Sequence, residues 1–315
     1  MTLQITFHHL QALVAVADMG SFEAAGDSLG IAQSAVSKHI RGFESRFPFP
    51  LFDRTERAAR LTLEGSEVLA QARYVLHQRD VLLEQLGSPL KMKRSLRIGV
   101  TEIAAMTWLP RFVGAIKAQF PLVELKLEVG GVAWELYDKV RRGQLEMAMV
   151  SDSPQWSGLL RLPLGSMRCG WFRLRSFEPQ LIRCSVEKLA DYPLLIQDTD
   201  SAFGRWIIQW FEENNVRPEK TLTCNSFAAL GGMATAGMGI GCLPLAVSNE
   251  LVSMRLVKEV KITPALPVVR YVVVVREEAV TTFHREVATI ARKNCDYNNR
   301  YQNASIAGPK NDFGK

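Results

Sequence analysis

The chain has 315 residues, 38 of them Lys or Arg against 32 Asp or Glu, for a net charge of +6. No run of eighteen apolar residues occurs and the N-terminus lacks the apolar core of a signal peptide, which argues against a membrane span and for a cytoplasmic protein. Five histidines and five cysteines without a CxxC pair do not assemble a His-based triad, an HExxH helix or a Cys/His metal cluster.

The first sixty residues carry most of the information. Phe7, Leu10, Leu13, Val14 and Ala17 recur at the three-and-four spacing of an amphipathic helix, which Gly20 ends. Ser21 is suited to cap the next helix, where Phe22, Ala25 and Leu29 share a face. Gly26 within that helix costs about 1 kcal/mol against alanine, a cost that makes sense if close packing requires it. Gly30-Ile31-Ala32 forms a turn. A third helix then runs from about residue 33 to 46, burying Ala35, Val36, Ile40 and Phe43. Its other face presents Gln33, Ser34, Ser37, Lys38 and Arg41, whose amides, hydroxyls and cations can bond phosphates and base edges.

A helix, turn and second helix also occur in ordinary helical domains, so the continuation decides. Pro50-Leu51-Phe52 can anchor a loop to the small core, and Arg54, Arg57 and Arg60 follow three apart. Residues 1–62 hold six Lys/Arg and six Asp/Glu, but from Lys38 to Arg60 the six cations meet only Glu44, Asp53 and Glu56. The basic character is a stripe. The ordered motifs GSFEAAGDSLGIAQSAVSKHIRGFE, PLFDRT and LTLEG resemble the N-terminal domain of the LysR-type transcriptional regulators. The resemblance implies a winged helix-turn-helix over residues 1–62. Gln33, Ser34, Ser37, Lys38 and Arg41 would then lie on the recognition helix, with Arg54 and Arg57 in the wing. Two positions depart from the family pattern: Ala32 stands where Ser or Thr is common, and Gly26 where alanine is usual.

From Thr62 to Leu86 there is no proline. Val68, Ala72, Val75, Arg79, Leu82 and Leu86 follow a four-three alternation, with Leu69, Leu76 and Leu83 as a second row. The seam suits a partner helix, so residues 63–90 are expected to form a linker and dimerisation helix with its hinge.

Residues 91–295 read as α/β. Strand runs at 96–100, 123–129 and 146–150 alternate with helical patterns at 105–119 and 133–142. A second unit contains strands at 194–197 and 239–243 and helices at 203–211 and 228–236. The chain then returns through an apolar strand at 268–276 and a helix at 279–294. Two lobes follow, 91–161 with 267–295 and 162–266, in a layout that resembles the periplasmic-binding-protein-like effector domain of the same family. Residues 296–315 lack periodicity and are expected to be a flexible tail.

Ligands of such sheets sit where strands end and helices begin. The candidates are Thr101, Glu102, Gly131, Trp134, Ser151, Ser201, Ser226 and Phe227, although Ser and Thr at these places are also ordinary N-caps. An anionic or aromatic effector is expected. The anionic preference rests on helix amides and on thirty Lys/Arg against twenty-two Asp/Glu in residues 91–315. The expected protein is a ligand-responsive regulator that binds interrupted palindromic double-stranded DNA as a homodimer or homotetramer and contacts RNA polymerase. No catalytic residue, metal or cofactor is expected. The alternatives are a redox sensor using two of Cys169, Cys184, Cys224 and Cys295, with Cys242 in an apolar strand run of the core, and an enzyme domain fused to a helix-turn-helix.

Overall fold

The computed structural model describes residues 5–53, 59–86, 94–130, 132–153, 158–177 and 181–298, which divide near residue 90 into an N-terminal and an effector unit. Helix α1 (Phe7–Met19) starts with a reciprocal cap: the Thr6 hydroxyl accepts from the His9 amide at 3.4 Å, and the Thr6 amide donates to His9 Nδ1 at 3.3 Å. It stops at Gly20, in the left-handed region at φ 71°. The Ser21 hydroxyl accepts from the Ala24 amide and opens α2 (Phe22–Leu29); α3 (Gln33–Glu44) starts at Ala32 with no side-chain cap. Gly26 is required in α2, since a Cβ there would lie 2.8 Å from the Ile31 carbonyl oxygen. What needs the space is the turn backbone itself.

Leu10, Leu13, Val16, Ala25, Val36, Ile40 and Phe43 form the small core with Leu51 and Phe52, whereas Phe7 is exposed and Ala35 half-buried. Helix α4 (Leu63–Leu86) splits the expected seam. Leu69 and Ala72 are buried and Val68 and Leu76 packed against this same core, while Val75, Leu82 and Leu83 remain exposed. Only the latter half of the seam is left for a partner; the Leu86 side chain lies outside the described residues.

The effector unit holds two sheets. The first has strand order β2-β1-β3-β11-β4, with β1 (Arg94–Val100) parallel to β2 (Val123–Val129) and β3 (Met147–Ser151). β11 (Val269–Arg276) runs antiparallel between β3 and β4 (Leu159–Met167). Alternation explains the unbroken apolar runs in β3 and β11. Met147, Met149, Val273 and Val275 join the main core, while Ala148, Val150, Val272 and Val274 pack with Leu136 and Val140 of α7 (Ala133–Arg141). The expected helix at 105–119 is two: α5 (Glu102–Thr107) and α6 (Leu109–Gln119), broken at buried Trp108, with Pro110 in the first turn of α6.

The second sheet comprises β5 (Cys169–Leu174), β6 (Arg183–Ser185), β7 (Leu194–Ile196), β8 (Thr221–Thr223), β9 (Ile240–Pro244) and β10 (Val257–Thr263), in the order β6-β10-β5-β9-β7-β8. Its helices are α8 (Val186–Ala190), α9 (Ala202–Glu213), α10 (Phe227–Thr235) and α11 (Leu245–Ser253). The crossing into this lobe lies at Arg168, not at residue 162 as expected, because β4 keeps pairing with β11 as far as Met167. The final helix α12 (Thr282–Asn294) starts later than residue 279 because Thr281 caps it, again reciprocally with a histidine, His284. Beneath it, Glu146 sits 3.2 Å from Arg94 and 3.6 Å from His284. Burial alone would raise this carboxyl; the His284 contact and the Arg97 and Arg94 charges bring it down to about 2.

Candidate nucleic-acid interface and effector cleft

Helix α3 separates its two faces cleanly. Val36, Ile40 and Phe43 are buried; Gln33, Ser34, Lys38 and Arg41 are exposed or half-buried on the opposite side, and Ser37 lies beside them. No intramolecular hydrogen bond or ion pair engages the Gln33, Ser34, Lys38 or Arg41 side chains among the described residues. After α3 the chain folds back as a narrow wing. Phe52 bridges Leu61 in antiparallel fashion, and the Asp53 amide donates to the Arg60 carbonyl at 2.8 Å. Arg54 and Arg57, expected in the wing, lie outside the described residues.

Glu44 was not singled out in the sequence, yet it holds the wing to α3. Its Oε1 accepts from the amides of Leu51 at 2.9 Å and Phe52 at 3.4 Å. The signal was available: a carboxylate in the last turn of a helix opposes the negative end of the helix dipole and needs a donor from elsewhere. Thr62 completes the anchor, donating to the Pro50 carbonyl and accepting from the Gly65 amide, both at 2.9 Å. Gly65 must be small, since a Cβ would fall 2.0 Å from the Leu51 carbonyl oxygen.

In the effector unit, a cleft of about 500 Å³ opens between the lobes, lined by Val132, Trp134, Glu135, Asp198, Asp200, Cys224 and Asn225. Of the eight residues expected to bind ligand, Trp134 lines it, 48% exposed. Three others meet one another instead: Glu102 Oε1 accepts from the Ser226 hydroxyl and Oε2 from the Phe227 amide, both at 2.8 Å. Ser201 is used structurally. Buried, it accepts from the Gly204 amide at 2.8 Å and donates to the Asp198 carbonyl at 2.8 Å. Ser151 is buried at the end of β3, and the Phe227 ring packs edge-on against Phe203 in the core. Thr101 precedes α5 without capping it; its hydroxyl is buried towards the Tyr271 phenol without a hydrogen bond of ordinary geometry. Gly131 lies outside the described residues.

The cleft's charge reverses the expectation drawn from the surplus of basic residues. Its titratable lining is Glu135, Asp198, Asp200 and a thiol, with no Lys or Arg among the described lining residues. Overall composition does not report the sign of a local field, and an anionic effector loses its main support.

The description "LysR substrate binding domain" matches residues 91–295, and "Bacterial regulatory helix-turn-helix protein, lysR family" matches residues 7–66. The chain belongs to the LysR-type transcriptional regulators. It is similar to a probable RuBisCO transcriptional regulator of Guillardia theta, 32% identical over 152 residues, spanning 47% of this chain and 48% of that protein. Over 76% of its length it is 26% identical to a hydrogen peroxide-inducible genes activator of Haemophilus influenzae, covering 81% of that protein. Among solved structures, a full-length OxyR variant from Pseudomonas aeruginosa shares the fold, with a TM-score of 0.77 at 20% identity over 94% of this chain and 97% of that one. The chain is thus a DNA-binding transcriptional regulator with an effector domain.

All five cysteines are free. Burial pushes the thiols of Cys169 and Cys242 well up, that of Cys295 up to about 12, and that of Cys184 up as well. A thiol reacts as its thiolate, so these environments suppress reactivity at neutral pH. No described helix is long and apolar enough to cross a membrane.

Proposed function

We propose that this LysR-type regulator acts in the cytoplasm as a two-fold homo-oligomer. Each copy lays α3 in the major groove of one half of an interrupted palindrome, and a small molecule in the effector cleft controls the assembly. The observation that carries this reading is α3 itself: polar side chains that can bond to nucleotides, over a buried apolar back, beside a wing fastened by Glu44. Gln33, Ser34, Ser37, Lys38 and Arg41 reach base edges and phosphates, and Arg54 and Arg57 grip the backbone. Exposed Val75, Leu82 and Leu83 on α4 support a second copy of the chain as partner, with a pair of dimers as the larger assembly.

The effector cleft works by binding. Trp134 favours an aromatic ligand, and Glu135, Asp198 and Asp200 favour one without negative charge. A ligand acts only by binding two arrangements of the oligomer with different affinity, which changes DNA geometry and contact with RNA polymerase. A redox-sensing alternative draws on the likeness to peroxide-responsive relatives, and Cys224, which lines the cleft, is the thiol it would use first.

Selection of the full chain against randomised duplexes tests the proposal. Enriched sites should carry two inverted half-sites separated by about one helical turn (about 34–36 Å) or a multiple of it. Arg41→Ala should cost about 1–3 kcal/mol on the selected site and much less on random duplex. Absence of enrichment, or equal losses on both duplexes, would overturn the reading.

A further inference from the structure

The first amides of a helix have no partner within it and lie at its positive end, which makes that end a seat for anions. In this effector unit the seat at α10, a nine-residue helix, is already taken. The Glu102 carboxylate receives the Ser226 hydroxyl on one oxygen and the Phe227 amide on the other, both at 2.8 Å. Ser226 meanwhile accepts from the Ala229 amide at 3.2 Å, so its hydroxyl is engaged as both donor and acceptor. Glu102 begins α5, beside the first sheet, whereas Ser226 and Phe227 begin α10, beside the second. The contact therefore joins the two lobes across 124 residues of sequence.

We propose that Glu102 is a built-in occupant of the α10 N-terminus. It denies that seat to free anions and thereby sets the cleft's preference against carboxylate, sulfate and phosphate ligands. This rests on the reading of the inter-lobe cleft as the effector site. Two features favour it over a merely structural contact. Both carboxylate oxygens are engaged by the donors an anion would need, and Asn225, next to Ser226, lines the cleft together with Glu135, Asp198 and Asp200. An anion entering there has to displace one carboxylate while facing three others.

The test uses the full chain and inorganic sulfate, titrated at constant ionic strength against chloride and followed by calorimetry. Wild type should show no saturable sulfate binding. Glu102→Ala empties the seat and should bind sulfate saturably, about tenfold or more above wild type. Adding Ser226→Ala to that variant should remove the gain, which separates this seat from other basic surface. Glu102→Gln keeps the side-chain volume should the alanine variant fold poorly; its amide offers one good acceptor for two donors, so its sulfate affinity should fall in between. Saturable binding to wild type equal to that of Glu102→Ala overturns the proposal, as does no gain in either variant. These readouts involve no DNA. If the variants gain sulfate binding while operator affinity ignores every ligand tried, anion exclusion stands and the effector reading of the cleft fails.

Discussion

The starts of α3 and α10 solve the same problem in opposite ways. Each helix leaves amides without internal partners, and each carries polar groups at the point where a ligand is expected. At α3 no side chain among the described residues answers the first amides: Ala32 supplies no side-chain cap, and Gln33, Ser34, Lys38 and Arg41 lie on the solvent side of the helix. At α10 the first and third amides are answered by side chains, a carboxylate from the opposite lobe and the Ser226 hydroxyl. A surface that must meet a large, uniform polyanion can be left open, because water covers it until the duplex arrives. A cleft that must tell small molecules apart benefits from filling its own donors, since unwanted ligands then compete with an intramolecular group.

That contrast is sharpest where the open region is held in shape. Glu44 is an internally bonded carboxylate of the N-terminal unit, as Glu102 is in the effector unit, but it braces the wing and leaves the α3 face uncovered. Glu44→Ala removes the acceptor of two amides on buried residues, Leu51 and Phe52, and should cost the N-terminal unit about 1–3 kcal/mol. All six tryptophans, from Trp108 to Trp210, belong to the effector unit, so the two units can be read apart in one urea titration. The far-UV dichroism transition of the N-terminal helices should move to lower urea while tryptophan fluorescence keeps its midpoint. Affinity for random duplex should fall too, because the wing is no longer positioned. A shift in both transitions would show that Glu44 does more than brace the wing.

The two regions also differed in how much could be read in advance. Helices α1 to α3, with Gly20, Ser21 and Gly30 at their ends, follow from local spacing and cap chemistry, and so does the polar face of α3. The effector lobes depend on distant pairing. β4 carries Pro163 and Gly165 within a strand that is bulged opposite Tyr271/Val272, which hides its period, and β6 and β8 are only three residues long. Trp108 breaks a helix that apolar spacing runs straight through. The bond between Glu102 and Ser226 is invisible in any local window, and so is the gathering of Glu135, Asp198 and Asp200 around one cleft. Ala32 offers a smaller way to probe the contrast. Ala32→Ser supplies the cap that α10 has and α3 lacks, and should raise N-terminal stability by about 0.5–1 kcal/mol. If α3 is open because DNA needs its side chains and not its first amides, binding to the selected operator should stay within about twofold, less than the tenfold that 1.4 kcal/mol represents. A loss of several-fold would mean that those amides meet phosphate.

The smallest expected effect concerns the cap of α1, where His9 has the role that His284 has in α12. His9 Nδ1 accepts the Thr6 amide at 3.3 Å, a bond that only an imidazole unprotonated at that nitrogen can make. Its pKa is held below 6.5, first by desolvation and then by the His39, Arg46 and His8 charges around it. His39 lies 6.0 Å away between ring centroids, edge-on, and Phe43 stacks on the His9 ring at 5.8 Å. The sign follows from linkage. Well above pH 6.5 the ring is neutral whether the unit is folded or not, and stability does not change with pH through this group. As pH falls through 6.5 the unfolded chain takes the proton first, so stability is lost down to the folded-state pKa and then levels off. The dichroism midpoint of the N-terminal unit should therefore fall between about pH 7.5 and 5.5, the range that brackets an ordinary imidazole. His9→Gln keeps the reciprocal cap, since glutamine at the third position can accept the same amide, but it does not titrate. The variant should hold its midpoint better over that range. If its midpoint falls as steeply as that of wild type, the pH dependence lies outside His9 and the α1 cap is indifferent to protons.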